Sequence, residues 1–273
     1  IKSACVEVGQ GFVTLVGQIV EETLGISDIT ILPVDTSIGS AGSTSASRQT
    51  WMSGGAVLKA CEAVVDALIL DLSSENGVAY DKSGLNLVSK DGSHSIDISA
   101  ALRGRNYDEH VTHRHKRTFP LDHNGQGNAH VSFAFAAHRA VVDVDEELGL
   151  VRVVEIATSQ DVGRVLNPVQ ARGQIEGGIA QGLGLALLED LVLDNGKIVN
   201  ANFTDYLLPT SMDTPPIKIA SLIEQSEPGA PFGAKGIGEP PVISSTPAII
   251  SAVRNATGKK LNRVPIKPED LIF

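Results

Sequence analysis

Residues 173–184, GQIEGGIAQGLG, constrain the fold more than any other stretch. Ile175, Ile179, Leu183 and Leu187 recur at helical spacing, so a helix starting near Gly173–Gln174 is expected. Yet Gly177, Gly178, Gly182 and Gly184 sit inside it, and each glycine costs a helix about 1 kcal/mol relative to alanine. Something must offset that cost. Close helix packing is one reading. Close approach of a ligand at the Gln174 end is the other, and both can hold together.

The surrounding pattern is mixed. Residues 3–8 and 29–34 read as strands, and Phe12, Leu15, Val16, Ile19, Val20 and Leu24 between them recur at helical spacing with Gly25 as the stop. That order suggests a βαβ crossover. Residues 35–50 are nearly all small, and a second helix follows through about 51–72. Short polar pieces fill 73–97, with Asn86 and Asp91-Gly92 as turn signals, and 103–128 reads as an Arg- and His-rich loop. Strands are expected at 129–145 and 150–158, joined by a hairpin at Glu147-Leu148-Gly149, then a loop at 159–172 and strand-like pieces around 191–205. For the last helix, Ser245 or Thr246 reads as the cap, Pro247 as first turn and Gly258 as stop. The fold class is α/β, mixed α+β, with no internal repeat.

Composition narrows the function. The 273 residues carry a formal net charge of -10, which repels a phosphate backbone and argues against nucleic-acid binding. No apolar run approaches the roughly 18 residues of a membrane span. The two cysteines, Cys5 and Cys61, form no Cys-x-x-Cys, so neither an iron–sulfur cluster nor a structural zinc is expected on this chain. Both read as buried, reduced thiols of a cytoplasmic protein. The chain opens on Ile1 and runs at once into strand-like sequence, which suggests that it was cut from a longer polypeptide.

Four stretches look built to present backbone to a ligand. In Gly9-Gln10-Gly11, at a strand-to-helix junction, free N–H groups suit a phosphate or polar ring edge, but for a lone GQG a tight turn is the favoured reading. In residues 42–50, GSTSASRQT, small residues and hydroxyls crowd before a helix with one Arg; a flexible linker and an anion cradle stand level. The glycine-rich helix is the third. The fourth is 233–241, GAKGIGEPP, where Pro240 steers Glu239 away from helical dihedrals and Pro241 restricts Pro240 in turn. An exposed loop acid does not need that much backbone control, so a preorganised general base competes with it. His110, His113 and His115 match no zinc spacing, and Arg114, Lys116 and Arg117 would repel a cation, so a solvated or interface loop is expected and no metal ligand is assigned. No GxxxxGK[ST], GxSxG or HExxH appears.

In this order, VEVGQG at 6–11, TSASRQT at 44–50, DVGRVLNPVQARGQIEGGIAQGLGLALLE at 161–189 and GAKGIGEPP at 233–241 resemble the molybdenum-binding part of the xanthine oxidase family of molybdenum hydroxylases. RHKRTFPLD at 114–122 and GQGNAHVSFAFAAHRAVVDVD at 125–145 narrow the likeness to molybdenum subunits of bacterial xanthine dehydrogenases and related N-heterocycle hydroxylases. The resemblance implies that Glu239 is the general base beside molybdenum. It implies that Gln10, Gly11, Ala46, Ser47, Arg48, Gln49, Thr50, Gln174 and Gly238 hold the molybdopterin, in bacteria usually as the cytosine dinucleotide form. It implies two lobes, 1–145 and 146–273, with the cofactor in the groove between them. The chain then matches the C-terminal part of the molybdenum region. The other molybdenum-binding half, an iron–sulfur subunit with [2Fe–2S] centres and an FAD subunit are the implied partners, and the small-molecule substrate is read by residues outside this chain. Rivals are aldehyde, nicotinate or carbon monoxide oxidation, which the GEPP acid serves equally, and a non-catalytic scaffold subunit. A plain dinucleotide-binding module ranks last because no GxGxxG follows a strand.

Overall fold

Helix α1 (Phe12–Leu24) forms where the sequence repeats apolar residues one turn apart, and it buries Phe12, Val16, Ile19, Val20 and Leu24 on one face. Gly25 ends it in the left-handed region, φ 69, where its N–H donates to the Glu21 carbonyl. Helix α2 (Gln49–Asn76) packs against α1 through Ser53, Gly54, Val57, Cys61, Val65, Leu68 and Leu72. A Cβ on Gly54 would stand 3.4 Å from both Ile19 and Leu15, so the glycine sets how closely the two helices meet. Strands β1 (Tyr80–Ser83), β2 (Asn86–Ser89) and β3 (Ser95–Asp97) form an antiparallel sheet, and the short helix α3 (Ile98–Leu102) follows. Leu87 and Ile98 carry these elements into the same core, each at 0% exposure. Cys5 and Cys61 lie in that core as free thiols, as the sequence suggests, and burial pushes Cys61 up to about 11. Asn86, read as a turn signal, instead opens β2.

The computed structural model describes residues 1–272, and the chain divides into two compact units. The first comprises Ile1–Phe133 with Ser226–Gly236, and the second comprises Ala134–Gln225 with the chain from Ile237 onward. The expected strands at 3–8 and 29–34 are not strands, so the βαβ crossover is absent among the described residues. Ile1, ahead of the first stretch, pairs with the second: Ile1 N donates to Thr30 O at 2.6 Å and Leu32 N to Ile1 O at 2.9 Å. Extended propensity is local, whereas a strand needs a partner along its length. Val6, Val8, Leu32 and Val34 are all exposed.

In the second unit β4 (Ala136–Asp145) and β5 (Leu150–Asp161) pair antiparallel from Ala136↔Gln160 to Asp145↔Leu150. The hairpin falls where expected: Asp145 accepts from the N–H groups of Glu147 and Leu148, and Gly149 takes φ 67. The ladder starts at 136, not 129. The two-residue strands β6 (Leu193–Asp194) and β7 (Lys197–Ile198) make a small hairpin. Strand β8 (Ile217–Ile223), which the sequence reading passed over, joins β5 in parallel.

Helix α4 (Pro168–Leu187) starts before the expected point. The Asn167 side chain accepts from Gln170 N, and Pro168 occupies the first turn, where its missing N–H is no loss. Gln174 therefore lies in the second turn, not at the helix end. Helix α5 (Pro240–Thr257) also starts early, because Pro240 and Pro241 fit the first turn and Pro247 is tolerated inside. Ser245 and Thr246 are not caps: their hydroxyls donate to the carbonyls of Val242 and Gly182. Gly258 ends the helix as expected, at φ 69. A last turn, α6 (Glu269–Ile272), was not anticipated.

The glycines of α4 explain themselves against α5. A Cβ on Gly178 would stand 2.9 Å from the Pro241 Cβ, and one on Gly182 would overlap the Ser245 hydroxyl. Ile175, Ile179, Leu183, Ile249 and Val253 fill the core beside this contact.

Candidate functional site

In the first unit the Gly9–Gly11 turn does not offer the free donors that its sequence suggests. The Glu7 carboxylate accepts from Gly9 N at 2.8 Å, Gly11 N at 3.1 Å and Val13 N at 3.0 Å, and so caps α1. Burial pushes Glu7 up, but N–H groups from Val13, Gly11, Gly9 and Phe12 outweigh it and hold the carboxyl below its ordinary range. Gln10 bridges its own loop, accepting from Val8 N at 2.6 Å and donating to Val6 O at 2.7 Å. Glu7 is the residue that sequence reasoning missed; its signal was a carboxylate four residues before a glycine at a helix start.

The 42–50 loop is a built structure rather than a slack linker. Arg48 turns back on it, donating to Ser43 O at 2.9 Å and Ala41 O at 3.3 Å, and a Cβ on Gly42 would run into the guanidinium. Gln49, 6% exposed, donates to Ser43 O at 3.1 Å and accepts from Ser53, whose hydroxyl also meets the Cys5 thiol. The side chains of Arg48 and Gln49 thus hold the loop itself. Ala46 and Ser47 are consecutive left-handed residues, φ 55 and 48, directly before the N-terminus of the 28-residue helix α2. Thr50 and Trp51 lie in its first turn, and the Trp51 indole N–H is buried with no hydrogen-bond partner among the described residues. Gly236 closes on this loop, since a Cβ there would overlap the Ser47 carbonyl.

In the second unit the other end of the 233–241 motif rests on α4. Gly238 O lies 3.3 Å from where a Gly178 Cβ would be, with Pro241 packed beside it. Gln174, one turn before Gly178, is half-buried, while Gly173 and Gly177 have nothing within 4 Å of a built Cβ. Glu239 is exposed and stands immediately before α5. It is not the extended corner that the two prolines suggest: its backbone is helical, φ -95 and ψ -32. The bias against helical dihedrals before proline is overcome because the Glu239 carbonyl accepts from Val242 N and Ile243 N and so opens the helix. Gly236 is the last first-unit residue of this motif and Gly238 lies in the second unit, so the motif crosses the division.

The His-rich loop holds His113 with its ring over Gly55 of α2. Burial, then Lys59 and His115, push that imidazole below its ordinary range. No cluster of three or more His, Cys, Asp or Glu among the described residues could hold a metal. No helix among them is long and apolar enough to cross a membrane.

Residues 1–215 match the family model of the molybdopterin cofactor-binding domain. The chain belongs to the molybdenum hydroxylases. The "6-hydroxypseudooxynicotine dehydrogenase complex subunit gamma" of Paenarthrobacter nicotinovorans is 32% identical over 99% of the chain and 35% of its own length. A "putative xanthine dehydrogenase molybdenum-binding subunit" of Escherichia coli K12 is 30% identical over 99% of the chain and 37% of its own length. The chain therefore spans about a third of the length of these relatives. The crystal structure of quinoline 2-oxidoreductase from Pseudomonas putida 86 superposes with a TM-score of 0.78 at 26% identity, covering 98% of this chain and 36% of that one. The quinoline 2-oxidoreductase structure shares the mixed helix-and-strand fold described above. The N-terminus of α2 at Gln49 and Thr50, entered from two consecutive positive-φ residues, has the chemistry to meet the phosphates of such a cofactor.

Proposed function

We propose that this chain is the molybdenum-binding part of a multi-subunit hydroxylase that oxidises an N-heterocycle such as xanthine or hypoxanthine. The observation that carries the reading is the placement of Glu239: an exposed acid at the start of α5, on a turn seated against Gly178 of α4. The names of the relatives support the heterocycle, since they refer to xanthine and to a nicotine derivative.

When bound, the molybdenum cofactor, as the cytosine dinucleotide form of molybdopterin, supplies two-electron redox chemistry with water as oxygen source. In this chain, backbone N–H groups at Gln49 and Thr50, at the start of α2, would meet the cofactor's phosphates, with Ala46 and Ser47 shaping the approach to them and Arg48 keeping that loop in shape. Gln10 and Gly11, in a turn held by Glu7 and by the Gln10 amide, and Gln174 on α4 would each border its ring, and Gly238 would leave it room. The Glu239 carboxylate oxygens accept the proton given up by the water-derived nucleophile as it attacks the ring carbon. [2Fe–2S] and FAD centres on partner chains in the cytoplasm would take up the electrons, and the other molybdenum-binding half would supply the residues that read the substrate.

Glu239→Gln in the assembled complex tests this. Molybdenum content stays at the wild-type level while turnover of xanthine or hypoxanthine falls by roughly 10²–10⁴-fold, the range for a lost general base. Wild-type turnover in a metal-replete variant removes Glu239 from the mechanism.

A further inference from the structure

The inward row of β4 runs Ala136, His138, Ala140, Val142 and Val144, all half-buried, and His138 is its one polar member. Beneath it, Thr158 and Gln160 of β5 are each 2% exposed. Such groups enter a core only with partners. The Gln160 amide nitrogen lies 2.6 Å from Thr158 Oγ1 and 3.3 Å from His138 Nε2, and Thr158 Oγ1 donates to Ala137 O at 3.1 Å. One amide N–H therefore points at each neighbour, and Nε2 must accept. Burial pushes the imidazole below its ordinary range and so keeps it neutral. Its one proton then sits on Nδ1, which lies 2.7 Å from Ser244 Oγ on α5. The relay runs Gln160 to His138 to Ser244, with every donor used in one direction.

We propose that His138 is a positioning residue for Glu239: through Ser244 it fixes the opening turns of α5 against the sheet. The proposal rests on the reading of Glu239 as the base. Ser244 lies five residues after Glu239, about 7.5 Å along the helix axis. On the α4 side, α5 is held by Pro241 against Gly178 and by Thr246 donating to Gly182 O at 2.8 Å. On the β4 side the contact is different. A groove of about 470 Å³ lies there, lined by His138, Ser244, Pro247, Ala248 and Ser251 among others. The His138–Ser244 hydrogen bond lies in this groove and adds a directional tie to the apolar contact that Ala140, Val142 and Val144 make with the core around Ile249 and Val253. A polar relay specifies one arrangement, whereas an apolar contact tolerates several.

The test uses the assembled, molybdenum-loaded complex and whichever of xanthine, hypoxanthine, nicotinate or quinoline it oxidises. In Ser244→Ala, which removes one oxygen, kcat falls about 10-fold with KM and molybdenum content unchanged, as expected for a slightly displaced base. His138→Leu gives the same loss, and the double variant falls no further, because both remove one link. His138→Gln, whose amide can still donate to Ser244, recovers most of the activity. A merely structural role would lower the melting temperature or molybdenum content and give additive losses. Unchanged kcat in metal-replete Ser244→Ala overturns the proposal even if His138→Leu fails to assemble. Retained turnover in Glu239→Gln overturns the reading of Glu239 instead, and the two failures are distinguishable.

Discussion

Glu7 closes the start of α1 with three backbone hydrogen bonds, the kind of capping that typically contributes about 1 kcal/mol even at an exposed position. Glu7→Ala should lower the melting temperature at pH 7 by about 2–4 °C, measured by calorimetry. The sign with pH follows from the lowered pKa of its carboxyl. The contribution is complete above the ordinary carboxylate value and is lost as pH falls through the depressed folded one. The gap between wild type and variant should therefore close in acid. None of this was legible in VEVGQG, where the glycines drew the eye to ligand donors. Glycines let a loop fold back, and a nearby carboxylate can take the same N–H groups a phosphate would. Arg48 teaches the same lesson: the one cation in a small-residue loop reaches its own loop carbonyls at Ser43 and Ala41. Ala46 and Ser47 are set apart by their positive φ, which residue types alone do not announce.

Helices were legible as elements, and their starts were not. The apolar spacing marked α1, α2 and α4, cap and proline signals marked α5, and glycine marked the ends at Gly25 and Gly258. Prolines misplaced the starts, because Pro240 and Pro241 were read as a stiff exit from structure when they form a first turn. The glycines of α4 sort by what stands opposite. Gly182 faces Ser245, so Gly182→Val forces a side chain into filled space and should destabilise by about 1–3 kcal/mol. Gly177 faces nothing within 4 Å, so Gly177→Ala should stabilise by about 1 kcal/mol through helix propensity alone. Denaturant titration of both variants checks the pair, and opposite signs are required. Strands were less legible: 3–8 and 29–34 have strand composition without partners, and β8 has its partner β5 roughly sixty residues earlier, beyond any local pattern.

At the scale of the whole chain, charge and apolar surface pull in opposite directions. The net charge of -10 keeps copies apart, while Phe203 at 83%, Met212 at 92%, Phe135 at 71% and Val8 at 72% leave large apolar side chains in water. Repulsion between like-charged molecules acts over about 10 Å at 0.1 M salt and about 3 Å at 1 M. Apolar attraction is not screened by salt. The isolated chain should therefore be monomeric at low ionic strength and associate as salt rises, as light scattering would record. Phe203→Glu with Met212→Glu should weaken that association, because the pair removes apolar area and adds two negative charges. Association that instead falls with salt would place its origin in charge pairing between copies rather than in apolar surface. Co-expression with the partner chains of the proposed complex separates the remaining possibilities. If the partners cover this surface, the salt-driven association disappears in the complex, and if they do not, it persists there unchanged.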